Sequence, residues 1–172
     1  LKKSISTQIV MILSFLVTFL LLGIFMKVFL TFHIQSFLVF LFVIVALLLI
    51  FNQIGLFLGV ICRTKMQLVG ASILTWFLFI FLIDLVFLYI LPMVTYENVN
   101  IFSWFYFLDP VHTLRFFLET ELGLYGLTNL SRLMNKFMVL EPSIFVILNI
   151  ILWPVLFFGL TLLSRRGGVS HD

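Results

Sequence analysis

Polar residues are scarce within the long apolar runs of this sequence, and Asp84 is the only acidic residue inside one of them. It lies about seven residues, or ~10 Å of helix, from the end of the run 67–91. An ionised carboxylate is costly in hydrocarbon, so Asp84 needs a partner, a water-filled cavity or a proton. A polar clasp between helices and the lining of a translocation path are both consistent with this position.

Asn149 is the side chain that best matches Asp84 in depth. It lies about six residues inside the outer end of the run 143–163, whereas Asn52 and Gln53 differ from Asp84 by ~12 Å in depth. We therefore predict that the third and last helices are neighbours. We also expect Asp84 and Asn149 to hydrogen-bond directly or through one water.

A second group lies on one face of the run 37–61. Asn52, Gly55, Gly59 and Cys62 follow one another at three- and four-residue steps, which places them on the same side of a helix. Two glycines four residues apart allow another helix to approach closely. The partner is either a second copy, as in glycophorin-like dimers, or a helix of the same chain. We favour packing within the chain, against the small residues 70–72.

The segment 92–142 contains its own helix signals. Asp109 offers an N-cap side chain and Pro110 suits the first helical position. Arg115 and Glu119 are four residues apart and are expected to pair. Together these features predict a short amphipathic helix that lies on, or dips into, the outer leaflet. Asp109 and Arg115 could instead mark a ligand site, although capping and surface pairing explain them adequately. The apolar positions with helical spacing are Val111, Leu114, Phe117, Leu118 and Leu122.

Four apolar runs must hold these residues in place, at 5–26, 37–61, 67–91 and 143–163. Each is close to the ~20 helical residues that cross the hydrocarbon core of a bilayer. Hydrophobic residues make up 63% of the chain and charged residues 10%, which is far from the composition of a soluble domain. Strict alternation of apolar and polar residues is absent, so helices are expected. The predicted fold is an all-α polytopic membrane protein, with one transmembrane domain over 1–172 and an external loop over 92–142.

The distribution of basic residues predicts the topology. Six of the ten Lys and Arg residues flank the runs on one side, and the positive-inside rule places that side and both termini in the cytoplasm. The external loop has three basic and five acidic residues. A cleavable signal peptide is the alternative for the first run, but the run exceeds the usual 7–15 residues and lacks a cleavage site. The cytoplasmic residues are Lys2, Lys3, Arg63, Lys65, Arg165 and Arg166.

Motifs typical of enzymes are missing from the sequence. It contains no phosphate-binding Gly-rich loop, no HExxH, and no Ser, His and acid set at one depth. The single cysteine, Cys62, has no metal-ligand spacing around it. The net charge of +3 is small and scattered, which argues against nucleic acid as a partner. We expect no catalysis, and neither a cofactor nor a metal on this chain.

The order of these motifs resembles the carboxy-terminal two-thirds of an ABC-2 type transporter permease. The resemblance rests on two close spans, the turn "CRTK", the span "WFLFIFLIDL", the external "YFLDPVHTLRFFLE" and the final "ILWPVLFFGLTLLSRRGG". Within that family the chain is most similar to the branch that serves copper-site maturation of nitrous-oxide reductase. Members usually have Asn-Pro and then an acidic residue two positions on, whereas this chain has Asp109-Pro110 and His112.

The resemblance implies a permease of six spans, of which these four would be the third to sixth. The chain starts at Leu1 rather than Met, so we expect an N-terminally truncated permease. It also implies a homodimer or paired permease in the inner membrane, with ATP bound and hydrolysed by a separate ATP-binding cassette subunit. Copper-site maturation, peptide or lipid export and drug efflux are all open as cargo. The alternative function is a non-transporting membrane scaffold or assembly protein.

Overall fold

The computed structural model describes residues 2–29, 33–123 and 141–167 of the 172-residue chain. These residues contain no β-strand, and four helical segments are long and apolar enough to cross a membrane. The predicted all-α polytopic membrane fold is therefore confirmed. The helices are α1 (Lys2–Phe29), α2 (Ile34–Ile61), α3 (Lys65–Phe77), α4 (Ile83–Ile90), α5 (Val99–Leu108), α6 (Pro110–Glu121) and α7 (Pro142–Gly167).

The four spans agree with the predicted apolar runs to within a few residues. They cover Ser6–Phe25, Ile34–Ile61, Lys65–Met93 and Pro142–Ser164. The third span begins at a capping box, in which the Gln67 backbone N–H donates to the Thr64 hydroxyl and the Thr64 N–H donates to the Gln67 side chain. This box satisfies backbone donors that the first turn of a helix leaves free, so the span starts at a defined residue.

Helix α2 is central to the bundle and contacts α1, α6 and α7. Val43, Ala46, Ile50 and Ile54 follow one another at three- and four-residue steps and are all buried. They therefore form one continuous seam along α2. Leu114 of α6 and Val146 of α7 pack into the same cluster.

Helix α1 is attached to α2 by close packing and by amides. A Cβ atom at Gly23 would collide with the ring of Phe37, so the glycine is what allows the two helices to approach. Further along α1, the Gln8 side chain donates to the Asn52 carbonyl at 3.2 Å and accepts from the Gln53 amide at 3.4 Å. Polar contacts of this kind join helices in an apolar environment.

The third span is interrupted by a π turn over Leu78–Leu82, between α3 and α4. Five residues of α-helix rotate by about 500°, which would place Asp84 about 140° away from Phe79. A π turn uses more residues per turn, so the same five residues come close to one full turn. As a result Phe79 packs against Phe51 and Trp153, while Asp84 also points into the protein towards His112.

The segment between the third and last spans enters the helix bundle. Helix α5 runs inward along α7. Trp104 contacts Phe145 near the start of α7, and the Leu108 carbonyl accepts from Trp153, about 12 Å further along that helix. The chain turns at Asp109, and α6 returns between α2 and α7. The predicted helix from Pro110 is thus confirmed, and it dips inward rather than lying on a surface. The aromatic stretch before it forms the helix α5.

The predicted packing of the small-residue faces within the chain is wrong. Among the described residues, no heavy atom lies within 4 Å of a Cβ placed at Gly55, Gly59 or Gly70. The reason is that α2 uses the seam from Val43 to Ile54 for its helix contacts, and Gly55 and Gly59 lie outside it. No other described residue covers the faces at Gly55, Gly59 and Gly70.

Candidate functional site

The strongest candidate site is a cluster of two carboxylates on either side of an imidazole. The Nε2 atom of His112 lies 2.5 Å from the Asp84 carboxylate, and its Nδ1 atom lies 2.6 Å from the Asp109 carboxylate. Asp84 comes from α4 of the third span, while Asp109 and His112 belong to α6 and its cap. We call these three residues the acid–histidine cluster.

The local sequence explains how His112 is oriented. Asp109 is the N-cap of α6, and its Oδ2 atom accepts from the His112 backbone N–H at 2.9 Å. Pro110 occupies the first helical position, where a missing N–H costs nothing. The same Oδ2 atom also contacts the ring, so one carboxylate fixes both the backbone and the side chain of His112. The predicted cap is confirmed, and Asp109 additionally binds the imidazole.

The cluster is electrostatically asymmetric. His112 and Asp109 are buried, whereas the Asp84 side chain is 45% exposed. His112 lies in α6, outside the four spans. Burial opposes charge on its ring, but the hydrogen bond and charge of Asp109, together with the charge of Asp84, outweigh burial and raise the pKa of His112. The cluster therefore favours the protonated imidazole.

A network of neutral groups lies directly beside the cluster. The Asn149 side chain is fully buried and donates to the Phe107 carbonyl at 2.8 Å, and the Thr113 hydroxyl donates to the same carbonyl at 2.6 Å. The Trp153 indole donates at 3.0 Å to both the Asn149 side chain and the Leu108 carbonyl. These contacts tie α7 to the end of α5 and the start of α6.

The predicted direct hydrogen bond between Asp84 and Asn149 does not form. In the part of the chain that the structure describes, the two do not hydrogen-bond: Asp84 contacts His112, and Asn149 binds Phe107 and Thr113. The α5–α6 pair lies between these two residues and supplies a polar partner to each of them, whereas their equal depth predicted that they would bind each other. The third and last helices are nonetheless neighbours, since Phe79 packs against Trp153.

The second predicted pair forms as expected. The Nε atom of Arg115 donates to Glu119 at 3.1 Å on the exposed side of α6. Among the described residues, Arg115 pairs with Glu119 and Asp109 pairs with His112, so the two residues of the alternative ligand site form no ion pair with each other. His112 was not predicted to take part in the site, although its position three residues after the N-cap Asp109 places it within reach of that carboxylate.

An apolar groove opens next to the cluster. It has a volume of about 570 Å³ and runs between the third span, α5 and Trp153 of α7. Residues of the π turn form part of its wall, and Asp109 is its acidic residue. The lining from the third span is Leu78, Phe79, Leu82, Ile83, Val86, Phe87 and Ile90.

The described residues contain no group of three or more His, Cys, Asp or Glu side chains arranged to hold a metal ion. In the acid–histidine cluster the two carboxylates approach different ring nitrogens, so they do not converge on one point. No protein-family model matches the chain, and no curated protein or solved structure matches it either. Function therefore has to be argued from the residues themselves.

Proposed function

We propose that this chain is a transmembrane permease subunit of an ABC-2 type ABC transporter, which forms one wall of a translocation pathway. The motif resemblance suggests the family. The observation that carries the proposal in the structure is the apolar groove beside the acid–histidine cluster, bounded by a loosely attached third span. Polar groups beside an open groove are expected where a solute crosses an apolar protein.

The third span supports this proposal because it is poorly covered. Phe79 is the buried residue of the segment from Lys65 to Met93, and most of its large apolar side chains are exposed. A span that is surrounded by other helices would bury a wider face. The open glycines at Gly55 and Gly59 likewise suit contact with further spans, from the rest of a longer permease or from a paired copy.

ATP hydrolysis belongs, on this proposal, to a separate ATP-binding cassette subunit. Conformational change there would shift the paired permeases between inward- and outward-facing states. The third span is the element best placed to move, because its attachment to the α5–α6 pair combines aromatic contacts with one ion pair, Asp84–His112. Cytoplasmic ends and an inner-membrane location form part of the same proposal.

Purification of the chain from its native membrane tests the proposal. We expect an ATP-binding cassette subunit with a Walker A motif to co-purify, and ATP hydrolysis by the reconstituted complex to depend on this chain. A purified chain with no such subunit and no ATP hydrolysis would instead favour the scaffold function. Tags at either end provide a topology test, since accessibility of either end from outside intact cells contradicts the proposed arrangement.

Asp84→Leu separates the two roles of Asp84. If the carboxylate contributes to the pathway, the variant reaches the membrane at normal levels but the complex turns over slowly. If it serves only as a clasp, the loss appears in expression instead. Glu121→Gln is the matched control, because it removes an exposed carboxylate about 180° around α6 from His112. We expect that control to change neither quantity.

A further inference from the structure

The acid–histidine cluster has a geometry that depends on a proton. A neutral imidazole carries one N–H, whereas both ring nitrogens of His112 lie within hydrogen-bond distance of a carboxylate. Both contacts are favourable only when the ring is protonated or one acid is neutral. We propose that Asp84, His112 and Asp109 form a proton-binding site, and that the bound proton holds the third span against the α5–α6 pair. This inference does not depend on the proposed transporter function.

The charged groups around the ring support this assignment. Among the described residues, Asp84 faces it from the third span and Asp109 from the cap of α6. The rings of Phe87 and Tyr106 pack on it from α4 and α5, with centroids 5.0 and 4.6 Å away. On α6 itself, Arg115 is paired with Glu119 one turn further on. The described residues of α2 and α7 that pack on α6 at this level are apolar or neutral.

The two contacts of the ring are not equally easy to lose. Asp109 is buried, and its Oδ1 atom has no hydrogen-bond partner among the described atoms, so removing the Nδ1 proton would leave a buried carboxylate with less support. Asp84 is partly exposed and can exchange its partner for water. Deprotonation therefore removes the proton on Nε2, which passes to water. The Nδ1–H bond to Asp109 remains.

The Nε2 contact is the one that joins two separate elements of the chain. Once its proton has left, an imidazole lone pair faces the Asp84 carboxylate at 2.5 Å, and the two repel. The neighbouring contacts of the third span are aromatic, from Phe87 to Phe102 and Tyr106. Loss of the ion pair thus loosens the third span from α5 along the wall of the apolar groove, and raising the pH widens the groove.

Distance measurements between spin labels test this inference. The labels go on exposed residues of the two elements, at Leu88→Cys on α4 and Ile101→Cys on α5, in a background with Cys62→Ala. The full chain is reconstituted in lipid nanodiscs and measured by pulsed electron resonance from pH 5 to pH 9. We expect one short distance at low pH and a second, longer population that grows as the pH rises above about 6.5.

Two cluster variants and one control identify the group that titrates. His112→Gln should abolish the pH dependence. Asp84→Asn should remove the pH-dependent change in distance, because no carboxylate is left to repel the neutral ring and the asparagine amide can donate to its Nε2 atom. Glu121→Gln, which removes an exposed carboxylate about 180° around α6 from His112, should leave the midpoint unchanged. A distance that stays constant from pH 5 to pH 9, or a transition that persists in His112→Gln, would overturn the inference.

A measurement that leaves the three residues of the cluster unchanged covers the case in which a cluster variant fails to fold. Nitrogen NMR of histidine-labelled protein distinguishes imidazolium from neutral imidazole directly. The chain has three histidines, and substitution of His33 and His171 leaves the His112 signal alone. We expect that signal to titrate at a pH above the ordinary value of about 6.5. A His112 ring that is neutral at pH 6 contradicts the proton-binding site.

Discussion

Replacement of Asn149 by Leu tests whether the neutral amide network secures the α5–α6 pair. Asn149 is fully buried, and its substitution removes the two contacts that join the network, its donation to the Phe107 carbonyl and its acceptance from Trp153, as well as a donation to the Phe145 carbonyl one turn before it. The Phe107 carbonyl and the Trp153 indole each keep a hydrogen bond, because Thr113 still donates to Phe107 and Trp153 still donates to Leu108. The loss in the free energy of unfolding should therefore be near the net value of two hydrogen bonds, and not the larger penalty of a buried polar group without a partner.

The net value of such bonds gives the magnitude. At about 0.6 to 1 kcal/mol each, the loss in the free energy of unfolding should be about 1.5 kcal/mol, or roughly a tenfold change in the folding equilibrium. The assay is reversible unfolding by SDS in mixed micelles, followed by near-ultraviolet circular dichroism. Thr161→Val is the matched control, since it removes a buried hydroxyl of the same helix that donates only to the Phe157 carbonyl one turn before it.

A double substitution sharpens the test. Thr113 and Asn149 donate to one carbonyl, so Thr113→Val removes the donor that compensates for Asn149→Leu. We expect the double variant to lose about 1 kcal/mol more than the sum of the single losses. Strict additivity, or an effect of Asn149→Leu no larger than that of Thr161→Val, would refute the view that this network joins α7 to the α5–α6 pair.

Three further predictions concern the cluster and the glycines. Because the pKa of His112 is raised on folding, its contribution to stability is fully present below the ordinary pKa of about 6.5 and is lost as the pH rises through the raised value. Unfolding by SDS at several pH values measures this loss, and a rise in stability over that range contradicts it. Asp109→Ala should lower the free energy of unfolding by about 1 kcal/mol, because it removes the cap of α6. Asp109→Asn keeps the cap and should lower only the pH at which His112 loses its proton, so equal unfolding curves for the two variants would exclude a capping role. Gly23→Leu should separate α1 from α2, because its side chain meets Phe37, whereas Gly59→Leu should leave the single chain intact; equal loss of stability in both variants would show that Gly59 is covered.

The sequence was informative where local chemistry decides the structure. The cap at Asp109 and Pro110 and the pair Arg115–Glu119 depend on residues within one helical turn, so spacing alone identified them. The partner of Asp84 depends on which helices meet. Depth along a span is one coordinate, and it cannot show that another element lies between two helices. The α5–α6 pair occupies that space, so Asp84 and Asn149 each bind it instead of each other.

The sequence by itself determined that four apolar helices cross a membrane, because the length and hydropathy of a run fix whether it can satisfy its backbone in lipid. Only the tertiary structure decided that the segment between the third and last spans folds back into the bundle and that a π turn rotates Asp84 towards His112. Neither the turn nor the inward path has a local signature. Both follow from the packing of aromatic side chains from distant parts of the chain, because many weak contacts together stabilise one arrangement.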